Sequence, residues 1–182
     1  MSRLETIVFG CGCFWTKEHL FRQLHGVVDT RVGFMGGWAM NPTYAQVCEK
    51  TTGHAEVVEV TYDCDQTRFP HLLKAFFSFH DATRDRTKKG GQYRSVVFYR
   101  KAKERIMTER AVELLRGHGL DVTTTIEPAQ IFWPASARHQ GYVERTGNKR
   151  DAQPVDNLND LSLPEAANVA SAERKTVIAQ AA

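Results

Sequence analysis

Short β-branched runs, separated by helical stretches of uneven length, set the fold class of this chain. Residues 6–10 (TIVFG), 27–34 (VVDTRVGF), 56–62 (EVVEVTY), 95–99 (SVVFY) and 122–126 (VTTTI) read as strands. Helical spacing appears over residues 16–24, where Leu20, Phe21 and Leu24 share a face and Gly26 offers a C-terminal cap. A second helix starts near Pro70, with Leu72, Leu73, Phe76 and Phe77 inward. A third spans residues 102–116, turns Met107, Ala111, Leu114 and Leu115 inward, and stops at Gly117 and Gly119. The two element types mix without strict alternation, which favours an α+β fold over a doubly wound parallel sheet.

The 182 residues make one domain with a tail. From residue 147 the chain is rich in Asn, Asp, Ala, Ser and Glu and has no aromatic residue, so residues 1–146 are expected to form the folded unit and 147–182 to lie outside its core. A net charge of +3, spread along the chain, gives no nucleic-acid footprint. No apolar run approaches the ~18 residues of a membrane span. The N-terminal apolar run is only Ile7, Val8 and Phe9, too short for a secretory leader, so a cytoplasmic location is expected. Four cysteines in such a chain are expected as thiols, not as a disulfide framework.

The densest chemistry lies in Gly10-Cys11-Gly12-Cys13-Phe14-Trp15, where a strand gives way to a helix. A thiol at that junction faces the unsatisfied N–H groups and positive end of the helix, which favour the nucleophilic thiolate. Phe14 and Trp15 would wall the sulfur with apolar surface. Small buried core cysteines are the plainer reading of Cys11 and Cys13. Zinc is a third, but no second closely spaced Cys or His pair follows, and Cys48, His54 and Cys64 lack zinc-ribbon spacing, so no metal is expected. Glu56 enters an apolar strand, where desolvation would raise its pKa and suit it to act as an acid; taken alone, a solvent-facing edge glutamate is the plainer reading. His54 reads as a capping or packing residue. Tyr44 and Tyr93 each stand where a loop meets an element, either aimed into a cleft or resting at a rim. The Arg84, Arg86, Lys88, Lys89 cluster reads as a solvated loop.

Taken in order, GCFW (12–15), Gly36-Gly37, NPTY (41–44), TGHAEVV (52–58), HD-x-T (80–83), QYRS (92–95) and HQ-x-Y (139–142) resemble the type A peptide methionine sulfoxide reductases over roughly residues 6 to 145. The resemblance implies an α+β fold with a mixed sheet, helices packed on it, and a coil-rich C-terminal part. It implies thiol-dependent reduction of the S epimer of methionine sulfoxide, free or in proteins, to methionine, a repair of oxidised residues. Cys13 would be the nucleophile and become a sulfenic acid. Glu56 would be the acid, Tyr44 and Tyr93 would hold the sulfoxide oxygen, and Phe14 and Trp15 would receive the S-methyl group. No bound cofactor is implied. The electron source would be an external thiol, thioredoxin or glutathione with glutaredoxin, and the partners would be oxidised proteins or peptides, with the chain itself a monomer.

Two departures stand out. The family's Asp-x-Gly-Thr before QYRS is replaced here by Lys88-Lys89-Gly90-Gly91, which leaves Asp85 to stand in for the aspartate; the family's Ala-Glu-x-Tyr-His-Gln appears as residues 135–140, ASARHQ. No cysteine follows Cys64, so the C-terminal resolving cysteines of many relatives have no counterpart. The other thiols are Cys11, which could reach Cys13 only with local strain, Cys48, just after NPTY, and Cys64, more than ~20 Å along the strand from Glu56. Cys11 and Cys48 are the resolving thiols to consider; the expectation is a single-cysteine cycle in which an external thiol reduces Cys13 directly. A weakened relative that only binds oxidised methionine is the runner-up.

Overall fold

A computed structural model of the chain describes residues 2–87 and 91–148. Most of the tail expected from residue 147, and Lys88 and Lys89 of the basic loop, therefore lie outside the described residues.

Among the described residues, six strands form one mixed sheet in the order β5-β4-β1-β3-β2-β6. They are β1 (Leu4–Cys11), β2 (Val27–Met35), β3 (Ala55–Asp63), β4 (Ser95–Tyr99), β5 (Thr125–Pro128) and β6 (Trp133–Pro134). Only the β4–β5 pair is parallel. The helices are α1 (Phe14–Arg22), α2 (Tyr44–Cys48), α3 (Phe69–Ser78), α4 (Ala102–Gly117) and α5 (Tyr142–Thr146). The α+β class and the mixed sheet hold.

Strand alternation divides the apolar residues between two faces. Ile7, Phe9, Val32, Phe34, Val58, Val60 and Val97 meet the inner faces of α1, α3 and α4 in the main core. Phe9 lies at its centre, its ring stacked at 5.1 Å on Phe21 and 5.0 Å on Phe76. On the opposite face Val8, Met35, Ala55, Val57, Val96 and Phe98 form a smaller cluster, covered in part by Ala129 and Phe132. Gly33 permits that cover, because a Cβ there would stand 2.4 Å from the Trp133 carbonyl oxygen.

Some sequence expectations shift. α1 ends at Arg22 with Gln23 as its C-cap, and Gly26 lies in the turn beyond it with φ +80°. The last expected strand begins at Thr125, not at Val122: the Thr123 N–H instead bonds the Ala82 carbonyl, and Val122 is spent in the core. α2 was not expected, although Thr43-x-x-Gln46 is a capping box. Gln46 N donates to Thr43 Oγ1 and Thr43 N to Gln46 Oε1. β6 and α5 were also unforeseen, and both are short pieces held by distant partners. Gln140 acts as a piece of strand for β2: its Oε1 accepts from Val32 N (2.8 Å) and its Nε2 donates to Val32 O and Ala135 O (both 2.8 Å).

Because Phe9 is fully buried among three rings, Phe9→Ala should remove about 3–5 kcal/mol of stability. The urea midpoint should fall without a change in the slope of the transition.

Candidate active site

The antiparallel registers bring four chain segments to one end of the sheet. β1 finishes there at Cys11, which pairs with Ser95 at the start of β4. β3 begins there, and Glu56 pairs with Phe34 near the end of β2. The Glu56 N–H bonds the Gln92 carbonyl (2.8 Å), so the Gln92-Tyr93 segment enters the same corner. α2 joins it from the β2–β3 connection.

Gly12 makes the strand-to-helix turn with φ +106°, a backbone that favours glycine. Cys13 is then the N-cap of α1, extended, with its sulfur half-buried where the N–H groups of Trp15 and Thr16 point. The next free N–H of the helix, that of Phe14, donates to Glu56 Oε2 at 3.1 Å. Gln92 Nε2 approaches Glu56 Oε1 at 3.4 Å. Glu56 is 1% exposed and has no cation within ion-pair distance among the described residues. Desolvation therefore outweighs the two hydrogen bonds and raises its pKa to about 7. Both carboxyl oxygens accept a hydrogen bond, Oε2 from the Phe14 N–H and Oε1 from the Gln92 amide.

Burial first, and then the Glu56 charge, raise the Cys13 pKa; the Trp15 and Thr16 N–H groups and Lys17 pull it down. The two groups are therefore linked: protonating Glu56 removes a charge that opposes the thiolate. Burial and the Glu56 charge also push both tyrosines, Tyr44 and Tyr93, well above the ordinary phenol range, so each remains a hydroxyl donor at neutral pH. Tyr93 is 36% exposed at the rim; Tyr44 is half-buried.

Around these groups stands an aromatic box. Phe14 lies 6.2 Å from Trp15 and 6.1 Å from Tyr44, and Trp15 lies 5.9 Å from Tyr44. His139 closes one side, 4.3 Å from Tyr44 and 5.7 Å from Trp15, and its Nδ1 accepts from the Trp15 indole (3.2 Å). Tyr142 stacks on Trp15 at 4.1 Å. His139 and Tyr142 lie more than 120 residues from Trp15 along the chain, so no local pattern points to these ring contacts. Glu18 anchors that segment, accepting from Gly141 N at 2.8 Å while Arg22 Nη2 pairs with its other oxygen at 2.8 Å.

Three further residues hold the corner together. The Arg94 guanidinium, 8% exposed, donates to the carbonyls of Gly36, Gly53 and Gly91 and so ties three loops together. His54 is a packing histidine: Nδ1 accepts from Gly37 N (3.1 Å) and Nε2 bonds the Ala39 carbonyl (2.8 Å). His80 bonds the Phe76 carbonyl and Ser95 Oγ, and burial lowers its pKa to about 4. Asp85 is exposed and turns its carboxylate to Thr87, yet it lines an open pocket with Gln92 and Tyr93. Arg86, not Asp85, reaches toward Gly12. Cys11 is 1% exposed in the main core, its pKa raised to about 12 by burial. No group of three or more potential metal-ligating side chains occurs among the described residues.

Residues 5–165 match the sequence model of the peptide methionine sulfoxide reductases. The chain belongs to that family. A peptide methionine sulfoxide reductase MsrA of Methanothermobacter thermautotrophicus is 46% identical over 156 residues, 82% of this chain and 92% of that one. Methionine sulfoxide reductase A of Corynebacterium diphtheriae superposes with a TM-score of 0.70 at 35% identity, covering 79% of this chain and 76% of that one. Mxr1 of Saccharomyces cerevisiae in reduced form gives 0.74 at 28% identity over 89% and 90%. The same yeast protein in complex with Trx2 gives 0.55 at 25% identity over 77% and 85%.

The Glu56 linkage has a measurable sign. Its folded pKa is raised, so between pH 7 and 4.5 the folded protein binds a proton that the unfolded chain does not. Acidification across that window should stabilise the wild type relative to Glu56→Gln by about 3 kcal/mol. In the same variant the pH midpoint for alkylation of Cys13, followed by peptide mapping, should move down; an unchanged midpoint would disprove the coupling.

Proposed function

We propose that Cys13 attacks the sulfoxide sulfur, that Glu56 protonates its oxygen, and that Tyr44 and Tyr93 hold that oxygen while Phe14 and Trp15 face the S-methyl group. The chain reduces the S epimer of methionine sulfoxide to methionine in a thiol-dependent reaction through a cysteine sulfenic acid. In that step the oxygen passes from the methionine sulfur to Cys13, so thiol plus sulfoxide gives sulfenic acid plus thioether. The observation that carries the residue roles is the grip of the Phe14 N–H on the buried Glu56 carboxyl. It sets an acid with a pKa of about 7 beside the residue that follows the nucleophile. An acid is most effective when its pKa lies near the working pH.

The aromatic box supports the S-methyl role, since a sulfonium-like sulfur and its methyl group gain from ring faces and from the absence of water. The phenols support the oxygen role, because both keep their protons. Thioredoxin is the proposed electron donor, a reading supported by the Trx2 complex of the yeast relative. Oxidised proteins or peptides are the proposed substrates. The binding-only alternative is not favoured: Cys13, Glu56 and both tyrosines are all present and converge on one corner.

Racemic N-blocked methionine sulfoxide with dithiothreitol, separated by chiral chromatography, tests the assignment. The S epimer alone should disappear, and Cys13→Ser should abolish its loss. Glu56→Gln should lower kcat by about 10²–10⁴. Tyr44→Phe combined with Tyr93→Phe should lower it by roughly 10²–10³. Consumption of the R epimer, or full turnover by Cys13→Ser, would overturn the assignment.

A further inference from the structure

Cys48 is the last residue of α2, four residues after Tyr44, so thiol and phenol share one face of that helix. The Cys48 thiol is close enough to Tyr44 to help raise the pKa of the phenol. The Gln92 amide bridges two groups: its Nε2 stands 3.4 Å from Glu56 Oε1 and 3.8 Å from Cys48 Sγ. Glu56 in turn holds the N–H of the residue next to Cys13. Tyr93 completes the ring, close enough to feel the charge of Cys13, Glu56 and Cys48 alike. A second thiol therefore opens onto the same corner as the nucleophile, separated from the acid by one amide group.

From this geometry we infer that Cys48 is the resolving thiol of the catalytic cycle, forming a disulfide with Cys13 after each reduction. The inference rests on the reading of Cys13 as nucleophile and replaces the single-cysteine cycle expected from the sequence. The Cys48 sulfur gives up its proton and attacks the Cys13 sulfenic sulfur. The Cys13 S–O bond breaks, and the hydroxyl leaves with that proton as water. An external dithiol of the thioredoxin class then exchanges with the Cys13–Cys48 disulfide, restores two thiols and is itself oxidised to a disulfide.

The rival thiols are poorly placed. Cys11 is locked in the main core, 1% exposed. Cys64 follows β3 at the opposite end of the sheet, where Asp63 pairs with Leu4, and its N–H bonds the Arg3 carbonyl. At ~3.3 Å per residue it is more than ~20 Å along the strand from Glu56. Cys48 can move at small cost, because α2 is five residues long and only its Val47 is buried. Forming the bond requires Gln92 to release the sulfur and the two Cα atoms to stand within about 4.4–6.8 Å.

A single turnover tests the assignment. Fully reduced protein, freed of reductant, is mixed with N-acetyl methionine sulfoxide, quenched with an alkylating agent and mapped by mass spectrometry under non-reducing conditions. One methionine per chain, the loss of two thiols and a Cys13–Cys48 peptide pair are expected. Cys48→Ser should still form one methionine per chain, but should leave Cys13 as a sulfenic acid that dimedone traps. Its steady-state rate with thioredoxin should drop at least tenfold. Methionine formation with Cys13 joined to Cys11 or Cys64, or trapped by dimedone in the wild type, would overturn the role of Cys48 and leave the reductase reading intact. Failure to form any methionine would overturn that reading itself, and this inference with it.

Discussion

One hydrogen bond organises the chemistry of this molecule: the Phe14 N–H on the buried Glu56 carboxyl. A helix begins with N–H groups that have no partner inside it. Here one of them is satisfied by a side chain from the start of strand β3, so β3 and α1 are tied together at the point where Cys13 caps the helix. The bond is too little to hold a naked carboxylate in a dry corner without a cation, and the result is a pKa of about 7. A charged partner such as lysine would have kept Glu56 ionised and useless as an acid. The apolar surroundings and the missing cation therefore set the proton affinity of the corner.

The rest of the fold keeps that corner in place. Buried polar side chains do this work, each spanning elements that are distant in sequence. Arg94 binds three carbonyls from three loops, and hydrogen bonds from a charged donor are worth about 1.5–3 kcal/mol each. Glu18 holds the Gly141 turn, and Gln140 splices the same segment onto β2. Together they deliver His139 and Tyr142 to Trp15. His80 fastens the end of α3 to Ser95, and Ser95 Oγ passes the connection to Thr124 Oγ1 at 2.7 Å. No buried side-chain nitrogen or oxygen among the described residues lacks a partner, so the loop-rich side of the sheet is as fully satisfied as its core.

How much of this could be read from the residues depends on range. Local patterns were legible: the β-branched runs, the inward faces of α3 and α4, and the thiol at the strand–helix junction all follow from spacing within about ten residues. The burial of Glu56 was not settled by its own pattern, which suited a solvent-facing edge glutamate as well; the structure buries it. The capping box of α2 was also local and was passed over, since a five-residue helix leaves almost no periodic signal. Illegible were pairings with no local trace. Gln92 acts on Glu56 across 36 residues and His139 on Trp15 across 124. The β5 boundary failed for a related reason: VTTTI has strand propensity throughout, but Val122 gains more from the core and Thr123 from a loop carbonyl than either would from the sheet edge.

The same division between rigid and light parts suits a reductase that must handle oxygen on sulfur twice. Cys13 and Glu56, the proposed nucleophile and acid, sit at the ends of the two central strands, β1 and β3. The tyrosines and Cys48 sit on the short helix and the rim, where small movements cost little. Cys13 rests with its pKa raised by burial and by the Glu56 charge, so the free site holds back the thiolate that stray oxidants attack. A sulfoxide oxygen hydrogen-bonded by Glu56 would favour the protonated carboxyl, and that protonation removes the charge opposing the thiolate. Acid and nucleophile would thus become competent together, through one proton placed on the buried carboxyl.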